Sequence, residues 1–493
     1  MHPRREERRR LSLLHALRLT WAGRVTAAVV VVGLAAAITL FAIDRGPSAF
    51  HAGRINFQPC LVRHVAARCA LYGVPEDPAN PDGPKIALNI AVLPAAHRAK
   101  GALFFLEGGP GGAATWEVPF VDQVLGPIAK DRDIVLVDQR GTGGSSPLSC
   151  PPARIPVADA ARFGAYVRRC FAKIGSKARF YTTAVAVDDL EAVRQAMGFS
   201  RIDLFGTSYG ATVAQVYLRL HPGSLRTVTI DSGSSLPLHL YEQWAPDAEV
   251  ALRMQLGRCA SSPACRRRFP DPRGVLTELL RRPPRKALAY GVPVTIDADA
   301  VASTIHALST TPGGVARIPA TIYAAQRGDY GPLADAYTDN VGPDVESRLQ
   351  LVTTLEITCS EPWAAWTPAG VRSAAGGSYY GAASLRLAEL LAHACPSVPH
   401  GVVPYGSEEP PTSDVPVLRL AGTADPLDSP ALDRGWRLPK LRTVLVPYGT
   451  HGVLADGCVA ALVAKFVEDG SADGLDTRCA EQYRPPAFVQ NLP

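Results

Sequence analysis

The sequence predicts an α/β fold: a mostly parallel central sheet with helices on both faces and an inserted helical cap. Three observations lead there. Short apolar runs alternate with segments of helical periodicity through the first half of the chain, which is the pattern of parallel strands joined by crossover helices. One apolar run, beginning at Ile202, breaks abruptly at Gly206-Thr207-Ser208-Tyr209-Gly210 and is followed by a helix-like run from Ala211 to Leu220. The alternation then lapses over 236–412 and resumes for 413–493. The core is therefore read as 86–235 plus 413–493, with 236–412 as the cap.

The N-terminus reads as a targeting segment. Residues 1–24 form a basic tail with seven arginines and two glutamates, and they carry +5 of the +6 net charge. The remainder is close to neutral, which gives no electrostatic basis for binding nucleic acid. Val25 to Ile43 is an uncharged run of 19 residues, long enough to span a bilayer. Arginines on its N-terminal side predict that this end stays in the cytoplasm. An uncleaved signal anchor is favoured over a cleaved signal peptide, because the run is long and no clean A-x-A site follows it. Either reading exports the rest of the chain, and membrane association is expected through this segment alone. Residues 44–85 then read as a Gly- and Pro-rich lead-in with a loop at Pro75 to Pro84.

Ten cysteines agree with export. They are even in number, lie in local pairs and lack C-x-x-C metal spacing. The simplest pairing is nearest-neighbour: 60–69, 150–170, 259–265, 359–395 and 458–479. Neither a metal cluster nor a cofactor motif stands out.

Ile86 to Leu93 reads as a strand. Ala102 to Leu106 reads as a buried strand that ends in Glu107-Gly108-Gly109-Pro110-Gly111-Gly112. A glycine-rich loop after a strand can bring backbone amides close to a substrate. Asp133 to Val137 is another buried strand, leading into Asp138-Gln139-Arg140-Gly141-Thr142-Gly143-Gly144. The spacing there matches neither nucleotide-binding glycine motif, so it reads as a turn braced by Asp138 and Arg140. Thr183 to Met197 has helical periodicity with Gly198 as its stop. Leu225 to Ile230, Val415 to Leu420 and Thr443 to Val446 read as further strands, and Val459 to Glu468 as a closing helix. In the cap, Glu242 to Ala260, Asp299 to Ser309, Ile318 to Gln326 and Val345 to Thr358 read as helices, with a break at Thr311-Pro312-Gly313-Gly314.

The strand–G-x-S-x-G–helix passage is a nucleophile elbow. A sharp turn between strand and helix displays the serine, and both glycines avoid collisions with neighbouring backbone. A serine hydroxyl needs an adjacent base, and the base needs an acid that fixes its tautomer. Ser208, Asp425 and His451 occur in the chain order Ser, Asp, His, the latter two in loops that follow apolar strands. Asp428 is the rival acid, further from its strand end. His221 ends the elbow helix, and His393 and His400 lie in the cap. The oxyanion hole is assigned to the backbone amides of Tyr209 and Gly109.

Together the Gly108–Gly112 loop, Asp138 to Gly143, the elbow with Tyr209, Asp425-Pro426 and His451-Gly452 resemble the proline iminopeptidase and tripeptidyl aminopeptidase group of α/β-hydrolases. The resemblance runs from about residue 85 to 480 and is loose in the cap. It implies an α/β-hydrolase fold and a serine exopeptidase acting on peptides with a free N-terminus. It also implies an acidic residue near the cap that holds the substrate's α-ammonium. The group's loop usually opens with His, where this chain has Glu107. Thr358-Cys359-Ser360-Glu361 resembles a Cys-x-acid stretch of the tripeptidyl branch, so Glu361 and Glu107 are the candidate substrate-binding residues. A carboxylic ester or lactone hydrolase using the same three residues is the alternative.

Overall fold

The computed structural model describes residues 53–492, apart from 151–158, 237–239, 342–349, 362–365, 402, 405, 407–408 and 432–434. The basic tail 1–24 and the apolar run 25–43 lie outside the described residues. Among the described residues, no helix is long and apolar enough to cross a membrane.

Among the described residues, nine strands form the central sheet. They are β1 (Gln58–Val62), β2 (Val65–Pro75), β3 (Lys85–Leu93), β4 (Ala102–Leu106), β5 (Asp133–Val137), β6 (Ile202–Thr207), β7 (Leu225–Asp231), β10 (Val417–Gly422) and β11 (Leu441–Val446). Their order is β1-β2-β3-β5-β4-β6-β7-β10-β11. From β5 to β11 every neighbouring pair is parallel, whereas β1, β2, β3 and β5 pair antiparallel. From β4 the chain moves first to β5 on one side and then to β6 on the other. That reversal opens a crevice at the carboxyl ends of β4 and β6, where α/β sheets bind ligands.

Alternation along the strands fills a core on each face of the sheet. Phe104, Leu106, Val135 and Leu204 point to the layer holding the helices Thr183–Met197 and Tyr209–Leu220. Leu103, Phe105, Leu136 and Phe205 point to the layer holding Val118–Val124 and Val459–Asp469. Phe105 and Phe205 stack across β4 and β6 with centroids 5.6 Å apart.

The stretch read as a lead-in contributes β1 and β2. These strands lie at the sheet edge and are only partly buried, so no continuous apolar run announces them. The Cys60–Cys69 disulfide spans the two. All five pairs follow nearest-neighbour connectivity, and no cysteine is free among the described residues.

The cap has its own core, built on the helices Leu240–Ser261, Ala298–Ser309, Pro312–Gln326 and Gly381–Ala394. It is not wholly helical. β8 (Arg285–Ala289) and β9 (Val292–Ile296) form a hairpin, and its two turn residues, Tyr290 and Gly291, both have positive φ, as a tight hairpin turn requires. Thr311-Pro312-Gly313-Gly314 begins a helix instead of breaking one. Thr311 Oγ1 accepts from Gly314 N–H at 3.1 Å, and Pro312 occupies the first helical position, where no N–H is needed.

Candidate active site

β6 ends at Thr207, and Ser208 adopts φ 56° and ψ −125° before the helix Tyr209–Leu220 begins. A non-glycine residue held there is strained, and surrounding structure must enforce it. The two glycines do so by permitting close approach. A Cβ on Gly206 would strike the Gly210 carbonyl, and a Cβ on Gly210 would strike the carbonyl oxygen of Leu106 on β4. Ser208 N–H donates to Asp231 O at 3.0 Å, tying the turn to β7. Tyr209 is the first helical residue, so its amide has no acceptor within the helix.

Gly109 has φ +124° and sits beside the elbow after β4. A cavity of about 90 Å³ is walled by Gly109, Ser208, Tyr209, Leu240, Asp428 and His451, among others. The elbow, the glycine loop and the histidine thus meet in one place.

Asp425 is fully buried. Its Oδ1 accepts from the N–H groups of Leu427 at 2.9 Å and Asp428 at 3.1 Å. Both its oxygens lie 3.0 Å from His451 Nδ1. That contact puts a proton on Nδ1 and leaves the Nε2 lone pair as a base. Nε2 is buried and has no hydrogen-bond partner among the described residues. Burial alone would lower the His451 imidazolium. Asp425, with Asp428 and Asp231 behind it, reverses this and lifts the group to about 9.

Asp231 and Ser232, at the carboxyl end of β7, were not legible as site residues. Asp231 accepts from Val453 N–H and Leu454 N–H, each at 3.0 Å, and Ser232 Oγ accepts from Gly452 N–H at 2.8 Å. They fix the loop that carries His451. Burial raises the Asp231 carboxyl to about 6, against the two amides and His451. The available signal was an acidic residue closing an apolar strand beside the elbow strand.

The two predicted substrate carboxylates part company. Glu107 follows β4, and its field reaches His451; burial and then Glu117 raise it to about 7, opposed by the Gly108 amide and His451. Glu361 is not brought to the cavity. It is 3% exposed and accepts from Thr183 N–H at 2.6 Å and Thr183 Oγ1 at 2.7 Å. A carboxylate at the start of the helix Thr183–Met197 satisfies an orphan amide and the helix dipole. Because Thr183 Oγ1 gives its proton to Glu361, Tyr209 OH donates to Thr183 Oγ1 at 2.7 Å. Glu361 therefore reaches Tyr209, the residue after Ser208, through one hydroxyl. The buried acid in the cavity wall is Asp428, which accepts from Ser234 Oγ.

The Asp138–Gly144 turn is braced differently from expectation. Asp138 accepts from Thr115 N–H, Thr115 Oγ1, Asn89 Nδ2 and Gly144 N–H. Arg140 instead pairs bidentately with Asp189 at 2.7 Å.

Residues 101–267 match the family described as alpha/beta hydrolase fold. The tripeptidyl aminopeptidase of Streptomyces coelicolor is 32% identical over 187 residues, covering 34% of this chain and 35% of that protein. A proline iminopeptidase of Neisseria gonorrhoeae is 28% identical over 130 residues, covering 26% of this chain and 31% of its own length. The chain thus spans about a third of the length of these relatives. A solved proline iminopeptidase of Mycobacterium smegmatis is 18% identical with a TM-score of 0.35, covering 81% of this chain and 98% of that one. The chain carries the α/β-hydrolase fold and resembles the proline iminopeptidase and tripeptidyl aminopeptidase group.

Proposed function

We propose that this protein is an exported serine exopeptidase that cleaves peptide bonds near a free N-terminus. Ser208 Oγ attacks the scissile carbonyl while His451 Nε2 takes its proton. The amides of Tyr209 and Gly109 receive the developing oxyanion. His451 then protonates the departing amine, leaving an acyl-enzyme. Water, deprotonated by the same Nε2, releases the acyl group and restores Ser208.

The observation that carries this reading is the state of His451. Asp425 clamps its Nδ1 at 3.0 Å, its Nε2 is unpaired among the described residues, and it shares a cavity wall with Ser208. Preference for a free amine is supported by Asp428, a buried carboxylate in that wall, with Glu107 as a second acidic group close by. A desolvated carboxylate facing an ammonium discriminates against substrates that lack one. Glu361, committed to Thr183, is left out of this role.

Two measurements test the proposal. A fluorophosphonate should label the folded protein at Ser208 and fail to label Ser208→Ala. A peptide p-nitroanilide with a free N-terminus should turn over much faster than its N-acetylated form. Equal rates, or turnover of p-nitrophenyl esters alone, would replace the peptidase reading with the esterase one.

Export is supported by five disulfides and by the basic-then-apolar N-terminus. Anchoring by residues 25–43 predicts that the full chain resists alkaline carbonate extraction. Recovery in the soluble fraction with a new N-terminus past residue 43 would indicate cleavage instead.

A further inference from the structure

We propose that Arg258, on the cap helix Leu240–Ser261, is a positioning residue that holds the loop carrying His451, acting through Gln255 and Tyr448. The proposal rests on Ser208 and His451 as nucleophile and base, and it does not depend on the substrate class.

The held point is the Tyr448 peptide, shortly before His451 in the chain. Tyr448 has φ +57°. A bulky side chain is disfavoured there, so neighbouring structure must enforce it. Tyr448 N–H donates to Thr423 Oγ1 at 2.7 Å, in the loop that carries Asp425. Thr423 Oγ1 in turn donates to Met254 Sδ at 3.6 Å. The Tyr448 carbonyl accepts from Gln255 Nε2 at 3.1 Å. Adjacent residues of the cap helix thus hold this peptide from both sides, and with it the loops of Asp425 and His451.

Arg258 sets which way Gln255 points. A carboxamide ends in a donor and an acceptor of nearly the same shape, whereas a guanidinium only donates. Arg258 Nε donates to Gln255 Oε1 at 3.0 Å. That leaves Nε2 to face the Tyr448 carbonyl. Gln255 is 2% exposed, so bulk solvent does not compete for either atom. Without Arg258 the amide can turn and set oxygen against oxygen.

Arg258 is fixed in its turn. Its Nη1 donates to Pro486 O at 3.0 Å. The guanidinium carbon lies 4.0 Å from the Phe488 ring centroid and 6.0 Å from that of Tyr448, within cation–π range. Phe488 is buried against Cys259, Cys265, Phe269 and Val315 of the cap, and Val489 N–H donates to Ala316 O at 2.9 Å. The segment 486–489 therefore straps the cap and presses the guanidinium toward the His451 loop. Arg258 does not wall the cavity, so its effect on the reaction runs through Tyr448.

The test uses the full chain with two readouts: the rate at which a fluorophosphonate inactivates Ser208, and kcat and KM on Ala-Ala-Ala-p-nitroanilide. End-point labelling counts the folded sites, and every rate is taken per site. Arg258→Met keeps the stem and removes the donors. It should lower kcat and the inactivation rate together by about ten-fold, with KM within about twofold of wild type. Arg258→Lys retains a donor for Gln255 Oε1 and should recover to within about threefold of wild type. Gln255→Glu separates positioning from stability. Its carboxylate pairs with Arg258 and supports the cap, but it turns an acceptor toward Tyr448 O. It should keep Tm close to wild type and still lose about ten-fold in kcat. Wild-type rates in Arg258→Met or in Gln255→Glu, a loss confined to KM, or a Lys variant no better than Met overturns the proposal and leaves the hydrolase reading intact. A wild type that the fluorophosphonate does not label overturns both.

Discussion

His451 governs the pH dependence expected of this site, because carboxylates outnumber the other groups around it. Asp425 holds its Nδ1, Asp428 and Asp231 lie behind, and Glu107 approaches from the glycine loop. A general base works only as neutral imidazole. The carboxylates favour the imidazolium up to about pH 9. On the proposed mechanism, kcat/KM therefore rises through the neutral range toward an inflection near 9. Asp428→Asn removes one stabilising charge and moves that inflection to lower pH; a pH–rate profile of both proteins on one anilide checks it. A profile already flat at pH 7 in the wild type would count against His451 as the base. The same substitution should raise KM for free-amine substrates by roughly ten-fold or more, the scale of a lost charge-assisted hydrogen bond. Ser208→Ala should lose about a million-fold in kcat, as when a serine nucleophile acting in a triad is removed.

At the scale of elements, Glu361 makes the case that a loop can serve a helix. Its carboxylate closes the amide end of Thr183–Met197, and through Thr183 it reaches Tyr209. Glu361→Gln keeps the shape but weakens two charge-assisted bonds, so a loss of about 2 kcal/mol in stability is expected, read as a lower Tm. The preference for free-amine over N-acetylated substrates should not move, since the side chain lies outside the cavity. A collapse of that preference would restore Glu361 as the amine anchor. Sequence alone could not separate these roles, because Thr358-Cys359-Ser360-Glu361 carries no sign of which helix it folds onto. The strands β3 to β7, β10 and β11 were legible because each is a largely apolar run. β1, β2 and the β8–β9 hairpin were not, since their partly exposed strands lack such runs. Ser208, Asp425 and His451 could be singled out by their order after strands. Asp231 and Ser232 brace a loop distant in sequence, and the one local sign of them is that Asp231 closes an apolar strand beside the elbow strand.

Over the whole molecule, the disulfides divide the labour between sheet and cap. Cys60–Cys69 ties the sheet edge, Cys150–Cys170 pins the helix Ala160–Ile174, and Cys458–Cys479 closes the C-terminal part. Cys259–Cys265 and Cys359–Cys395 lie within the cap region. No bridge joins cap to sheet. What holds the cap over the cavity is packing and hydrogen bonds, including Gln255 Nε2 to Tyr448 O at 3.1 Å and Thr354 Oγ1 to Pro110 O at 2.8 Å. Crosslinking acts mainly on the unfolded chain, and the longest loop, with a separation of 36 residues, restrains it by about 3–4 kcal/mol on the chain-entropy estimate. Cys359→Ser with Cys395→Ser should therefore lower Tm by several degrees. Turnover per active site, counted by fluorophosphonate titration of the protein that remains folded, should stay within about twofold, because the bridge braces the cap internally and does not set its height above Ser208. A large fall in turnover per titrated serine, with Tm little changed, would mean that this bridge positions the cap for catalysis.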